Sequence, residues 1–171
     1  RGSNITLTAK ADDSGNIGNI GSSEHWITTE TEGVLNAEAG RQIWLKDSRA
    51  EGMLKLGSLK ADDRITLTAA GDIVNGIPDQ DGSVNVSAEE ISLRADGKIG
   101  AKDKVLLTET KNAALEAENI YLKNQGSLNL SKAEAAADME LEVSGNLTSA
   151  GTTVKADHLL VKADNADLKT R

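Results

Sequence analysis

The sequence predicts an all-β fold: a right-handed parallel β-helix (solenoid) of roughly eight rungs of about 20–26 residues each. Three observations predict it. A short alternating phrase keeps returning: Ile5-Thr6-Leu7-Thr8-Ala9, Ile43-Trp44-Leu45-Lys46, Ile65-Thr66-Leu67-Thr68-Ala69, Ile91-Ser92-Leu93-Arg94-Ala95, Ile120-Tyr121-Leu122-Lys123 and His158-Leu159-Leu160-Val161-Lys162-Ala163. The corners repeat at closely similar offsets after three of these strands, as Gly15-Asn16-Ile17-Gly18, Gly71-Asp72-Ile73-Val74 and Gly97-Lys98-Ile99-Gly100. The core alphabet is narrow, with no Phe, two Trp and one Tyr in 171 residues. Ile, Leu, Val and Ala suit a thin bore of similar layers, where every rung offers the same small volume.

Taken in order, strand-like stretches fall at 5–9, 26–30, 34–39, 43–47, 53–59, 65–69, 84–88, 91–95, 105–110, 113–117, 120–124, 127–130, 139–143, 147–150, 152–156 and 158–163. Each alternates with period two and is rich in Ile, Leu, Val and Thr. Gly, Asn, Asp and Ser stand between them and turn the chain. Asn-Gly and Asp-Gly pairs also suit antiparallel hairpins, which keeps a meander or sandwich open. Parallel stacking is favoured because strands recur 22 and 26 residues apart (43 to 65, 65 to 91) and because a meander has no reason to repeat its corner chemistry at one phase. Ser131-Lys132-Ala133-Glu134-Ala135-Ala136-Ala137-Asp138 has high helix propensity and is expected to form a corner or a single helical turn.

Acidic residues outnumber basic ones, 27 to 19, for a net charge of -8 and a pI near 4.8. That balance, without a Lys/Arg cluster, argues against nucleic-acid binding. No Cys is present, so disulfides and thiolate metal sites are excluded. No apolar run reaches the length of a membrane-spanning helix, and no signal peptide opens the chain. Arg1-Gly2-Ser3 reads as a cloning remnant, leaving 4–171 as a single β-helix segment excised from a longer solenoid.

Candidate chemistry is sparse, and neither catalytic, cofactor-binding nor metal residues are assigned. His25 and His158 lack a second ligand at metal spacing and read as solvated. The glycines at 15, 18 and 21 miss the dinucleotide-binding pattern and read as corners. Asp12-Asp13, Asp62-Asp63 and the Asp79, Asp81 pair are the acid-base candidates. Glycosidase chemistry needs two carboxyls about 5–10 Å apart, and the first two pairs sit on opposite sides of their strands, so they should not stack. Asp79-Gln80-Asp81-Gly82 fails as an EF-hand loop because Ile77 and Ala88 occupy the first and twelfth positions. Asn4, Asn85, Asn129 and Asn146 each open an Asn-x-Ser/Thr triplet and are glycosylation candidates in an exported host protein. Thr6, Thr8, Thr66, Thr68, Ser92 and Arg94 form outward rows that keep the surface soluble, and Trp26, Trp44 and Tyr121 are the aromatic groups available to a sugar ring.

Ile65-Thr66-Leu67-Thr68-Ala69-Ala70-Gly71-Asp72-Ile73, Ile91-Ser92-Leu93-Arg94-Ala95-Asp96-Gly97-Lys98-Ile99-Gly100 and Leu141-Glu142-Val143-Ser144-Gly145-Asn146-Leu147 resemble the repeat shaft of filamentous-haemagglutinin-like exoproteins. The Ile-Gly corners look most like the large filamentous adhesins grouped with the fusobacterial leukotoxin. The resemblance implies a non-catalytic shaft segment of an adhesin or leukotoxin-type virulence factor, secreted by a Gram-negative bacterium through a two-partner outer-membrane pore and displayed at the cell surface. It implies a host-cell receptor or glycan as partner and carries over no binding residue. A carbohydrate-active β-helix enzyme and a trimeric phage or fibre spike are the alternatives.

Overall fold

The structure is a computed structural model describing residues 3–9, 18–50, 52–78 and 82–171. The described residues form strands and turns without a helix. Eighteen strands run in chain order: β1 (Ile5–Ala9), β2 (Ile27–Thr29), β3 (Val34–Ala39), β4 (Gln42–Asp47), β5 (Met53–Lys60), β6 (Arg64–Ala69), β7 (Asp72–Asn75), β8 (Val86–Ser87), β9 (Glu90–Ala95), β10 (Lys98–Ile99), β11 (Leu106–Glu109), β12 (Asn112–Ala117), β13 (Asn119–Asn124), β14 (Leu128–Ala135), β15 (Asp138–Val143), β16 (Asn146–Lys155), β17 (His158–Lys162) and β18 (Asn165–Thr170).

They stack in two parallel sheets. Sheet I contains β1, β3, β5, β7, β8, β10, β11, β13, β15 and β17, and sheet II runs β2-β4-β6-β9-β12-β14-β16-β18. The chain alternates between sheets, so each winding lays one rung on the last and the fold is the expected parallel β-solenoid. Its strand pairs are all parallel. The described residues make about six turns, against the roughly eight expected.

The core is a set of aliphatic columns between the sheets. In sheet II, Leu45, Leu67, Leu93 and Leu115 are register partners, and each is no more than 1% exposed. Ile43, Ile65 and Ile91 make the neighbouring column, which continues through Ala113 to Leu130. Each fully buried Leu or Ile contributes roughly 1.5–3 kcal/mol by leaving water. Alternation puts Trp44, Thr66, Ser92 and Ala114 on the opposite, outward face in the same register.

Several sequence expectations are corrected. Winding length ranges more widely than 20–26 residues: Ile5 lies on Leu35, 30 residues away, while Ala113 lies on Leu130, only 17 away. The later windings are tighter because only one to three residues separate each strand from the next between β11 and β18. Residues 131–135 are strand, not a helical turn, and belong to β14. Ser131 is an extra residue at a register shift: Ala113 and Ala114 face Leu130 and Lys132, and the Ser131 hydroxyl donates to the Ala113 carbonyl at 3.2 Å. Burial of Ala133 and Ala135 in the bore, plus the ladder bonds of two neighbours, outweighs the weak helix propensity of so short a run. The stretches 147–150 and 152–156 form one strand, β16, bulged around Gly151 at φ +82°. The corner phrases at 72–75 and 98–99 are strands β7 and β10, and β18 lies in a polar stretch read as non-strand.

Candidate functional site

A uniform solenoid offers the same surface everywhere, so departures from uniformity locate candidate sites. The main departure lies in sheet I. β5 is one continuous strand, but the winding above it answers with two short strands. β7 pairs with the first half of β5 and β8 with the second, and the described residues between them, 76–78 and 82–85, lie outside the strands as a first excursion. The next winding repeats the device: β10 and β11 flank an excursion over 100–105, and both pair with the continuous β13 beyond.

Two asparagines tie the neck of the first excursion. Asn75 donates from Nδ2 to the Val105 carbonyl at 3.0 Å and accepts from Ile77 N and Asn85 Nδ2. Asn85 is fully buried, donates to the carbonyls of Leu56 and Gly57, and accepts from Leu107 N. One amide thus replaces the ladder bonds lost where the strand breaks, as buried backbone groups require. The second excursion closes on itself through an antiparallel bridge between Ala101 and Lys104. Gly100 enters it at φ +71°, with the position of an added Cβ only 2.1 Å from the Tyr121 carbonyl oxygen, so no other residue fits. Between the excursions lies a groove of about 540 Å³ lined by Ile77, Pro78, Ser83, Val105, Lys123 and Gln125 among others.

Tyr121, the next outward residue beyond the second excursion, is only 8% exposed although its register partner is outward Glu140. Its hydroxyl bonds the Asp138 carboxylate at 3.2 Å, and His158 Nδ1 lies 3.2 Å from the other oxygen of Asp138. Burial, then the Asp138 charge and hydrogen bond, pushes the Tyr121 phenol above its ordinary range. Lys102, from the excursion, pairs with Glu140 at 3.2 Å and is held above the usual lysine value by that contact. Lys123 pairs with Glu142 at 2.6 Å, which holds the Glu142 carboxyl low.

The outer face of sheet II carries a charge ladder. Arg94 contacts Glu116 at 3.4 Å, Lys132 bonds Glu116 and lies 3.5 Å from Glu134, and Lys155 reaches Glu134 at 2.6 Å. The Glu116 hydrogen bond raises Lys132, and the Lys155 bond leads in lowering Glu134. At the other end of the same face Trp26 and Trp44 meet edge to face, their ring centroids 5.4 Å apart. Thr66, Ser92 and Ala114 follow Trp44 in one outward row, and Thr68 and Arg94 share the adjoining row. Thr6 and Thr8 are exposed on β1, with Asn36 and Glu38 as register partners.

Of the residues singled out by sequence, Asp12, Asp13, Asp79 and Asp81 and the glycine at 15 lie outside the described residues. Asp63 pairs with Arg41 at 3.0 Å across one winding. Gly18 lies just within the described residues, and Gly21 is a true corner at φ +72°. His25 is exposed in a turn, where its backbone N–H donates to Ser22 Oγ at 3.1 Å. His158 is solvated yet bonded to Asp138. No group of three or more His, Asp or Glu residues that could hold a metal ion occurs among the described residues, and no helix among them is long and apolar enough to cross a membrane. The four Asn-x-Ser/Thr sites separate sharply. Asn4 and Asn146 are exposed and Asn129 is bonded to Asn112, whereas the Asn85 amide is sealed inside, so Asn85 cannot carry a glycan in the folded chain.

Sequence reasoning missed the excursions and the buried amides. Asn124 is also fully buried: Thr108 Oγ1 and Thr110 N donate to its Oδ1, and its Nδ2 donates to the carbonyls of Thr110, Gln125 and Gly126. A usable signal was present in the polar residue at each of these inward positions, since Asn85 follows Val84 out of phase and Asn124 ends an alternating strand on its buried side. Comparison of this chain with family models, with curated proteins and with solved structures finds no match.

Proposed function

We propose that this chain is a non-catalytic shaft segment of a secreted bacterial surface adhesin or leukotoxin-type factor, similar to the filamentous-haemagglutinin-like exoproteins, making weak multivalent contacts with host cells. The observation that carries the reading is the pairing of a two-sheet solenoid with split strands that, among the described residues, fall in two adjacent windings of sheet I. A rod of parallel rungs supplies length and stiffness, and loops leaving one face of a repeat architecture commonly form its binding surface. The carboxylates of both outer faces support the non-catalytic part. Asp63, Glu90, Glu116, Glu134, Glu140 and Glu142 are each engaged by a cation from another winding. Carboxyls neutralised in this way stiffen the stack and are poorly placed for acid-base exchange with a substrate.

The test is adhesion of cultured host cells to immobilised chain, compared with a variant in which 76–85 and 100–105 are each shortened to a direct strand. The intact chain should retain cells and the shortened one should retain several-fold fewer. Equal retention would remove the excursions from the contact surface; no retention by the intact chain would remove the adhesive role.

A further inference from the structure

The outward face of sheet II holds a second departure from uniformity. Trp26 and Trp44 are the only tryptophans in the chain, and the register that places Ile27 on Leu45 puts these two residues one above the other in the row that continues through Thr66, Ser92 and Ala114. Both indole N–H groups are satisfied internally, Trp26 by the Ser23 carbonyl and Trp44 by Gln42 Oε1, each at 3.2 Å. In an edge-to-face pair only one ring gives up a face to the other, so aromatic face remains available beside solvent.

From this arrangement we infer that the row Trp26–Trp44–Thr66–Ser92–Ala114 is a binding track for a linear, uncharged oligosaccharide, with one sugar ring stacked on the tryptophan pair. This track lies on sheet II, apart from the excursions of sheet I, and goes beyond the adhesive reading above. Small side chains beyond Trp44 leave a shallow floor between two taller rows, Gln42–Arg64–Glu90–Asn112 on one side and Lys46–Thr68–Arg94–Glu116 on the other. Successive windings advance by about 4.8 Å, close to the length of one hexopyranose unit, so a glycan lying along the axis stays in step with the windings and meets the Ser92 hydroxyl in the floor and the Gln42 and Asn112 amides in one wall. The wall charges cancel in pairs, Arg64 with Glu90 at 2.5 Å and Arg94 with Glu116 at 3.4 Å. With a chain charge of -8, that selects against sulfated or sialylated glycans. Two half-buried indoles expose apolar surface on the order of 200 Å², short of the roughly 800 Å² per partner in a stable protein interface.

The probes are cellohexaose, laminarihexaose and lacto-N-neotetraose, titrated against the whole chain while tryptophan emission is followed, with a heparin hexasaccharide as the charged control. At least one neutral probe should give a saturable change and heparin none. Trp44→Ala, followed by calorimetry, should weaken that binding at least tenfold. Ser92→Arg, which fills the floor two windings away without touching the indoles, should weaken it severalfold. Far-UV circular dichroism checks that both variants remain folded. Absence of saturation with every neutral probe, binding of heparin alone, or equal binding by Ser92→Arg would each overturn the track. Cell adhesion separates the two readings: an intact chain that retains cells but gives no saturable binding with any neutral probe would overturn the track and leave the adhesive reading standing. Loss of adhesion by the intact chain, with saturable neutral-glycan binding retained, would overturn the adhesive reading alone.

Discussion

Lys102 Nζ stands 3.2 Å from Glu140 Oε1, an ion pair that reaches from the second excursion past Tyr121 on β13 to β15, two windings on. The excursion is therefore fastened to the sheet beyond it.

Tyr121 is the chain's single tyrosine, so a tyrosinate absorbance titration reads this site without interference. Burial and Asp138 both favour the protonated phenol, and the midpoint should lie above 10.0. Asp138→Asn removes a negative charge and should lower that midpoint. An unchanged midpoint would show that Asp138 does not sense the phenol.

Stability should be widest between the carboxylate and lysine ranges. Glu134 and Glu142 have folded values depressed by Lys155 and Lys123, so their contribution is present above 4.5 and is lost as pH falls through the folded values. Lys132 is raised by Glu116, so its contribution is complete below 10.5 and is lost as pH climbs through the folded value. These pairs are well exposed, and each is worth about 0–1 kcal/mol. Thermal melts should be nearly flat between these limits and fall on both sides, less steeply in high salt. A decline beginning at neutral pH would contradict this ladder.

Gly100 and Gly126 both have positive φ, +71° and +83°, yet their surroundings differ. Alanine at 100 meets the Tyr121 carbonyl, whereas alanine at 126 meets nothing within 4 Å. Gly126→Ala should cost about 1–2 kcal/mol of left-handed strain. Gly100→Ala should cost more and loosen the excursion, read as faster amide exchange at Tyr121. Equal losses in chemical denaturation would refute the close approach.

Asn124→Ala removes an acceptor for two donors and a donor to three carbonyls at the corner between β13 and β14. Buried groups left without partners cost about 1–3 kcal/mol each, so the loss should be on the order of 3 kcal/mol. Asn129→Ala, on the half-buried outer face, should cost under about 1 kcal/mol. Denaturant midpoints that fail to separate the two would remove the structural role of the buried amide.

Local pattern revealed the repeating unit because period-two alternation is imposed by each strand's own pleat. The same logic misread 131–135: a run of Ala, Glu and Lys carries helical propensity in isolation, and only contact with β12 and β16 makes it a strand. Asn85 read as a glycosylation candidate and Asn124 as the end of a strand, since burial of a side chain is set by windings distant in sequence. The tryptophan pair was visible as two residues, but not as neighbours in one row.

From sequence alone came the all-β solenoid, its narrow aliphatic core alphabet and the absence of cysteine, because the same short phrase must solve the same packing problem at every rung. Tertiary structure alone decided where the rungs break, which amides are sealed inside, and which outward residues line up. Each of those depends on register between windings, and register is a relation between segments 16 to 30 residues apart that neither segment carries by itself.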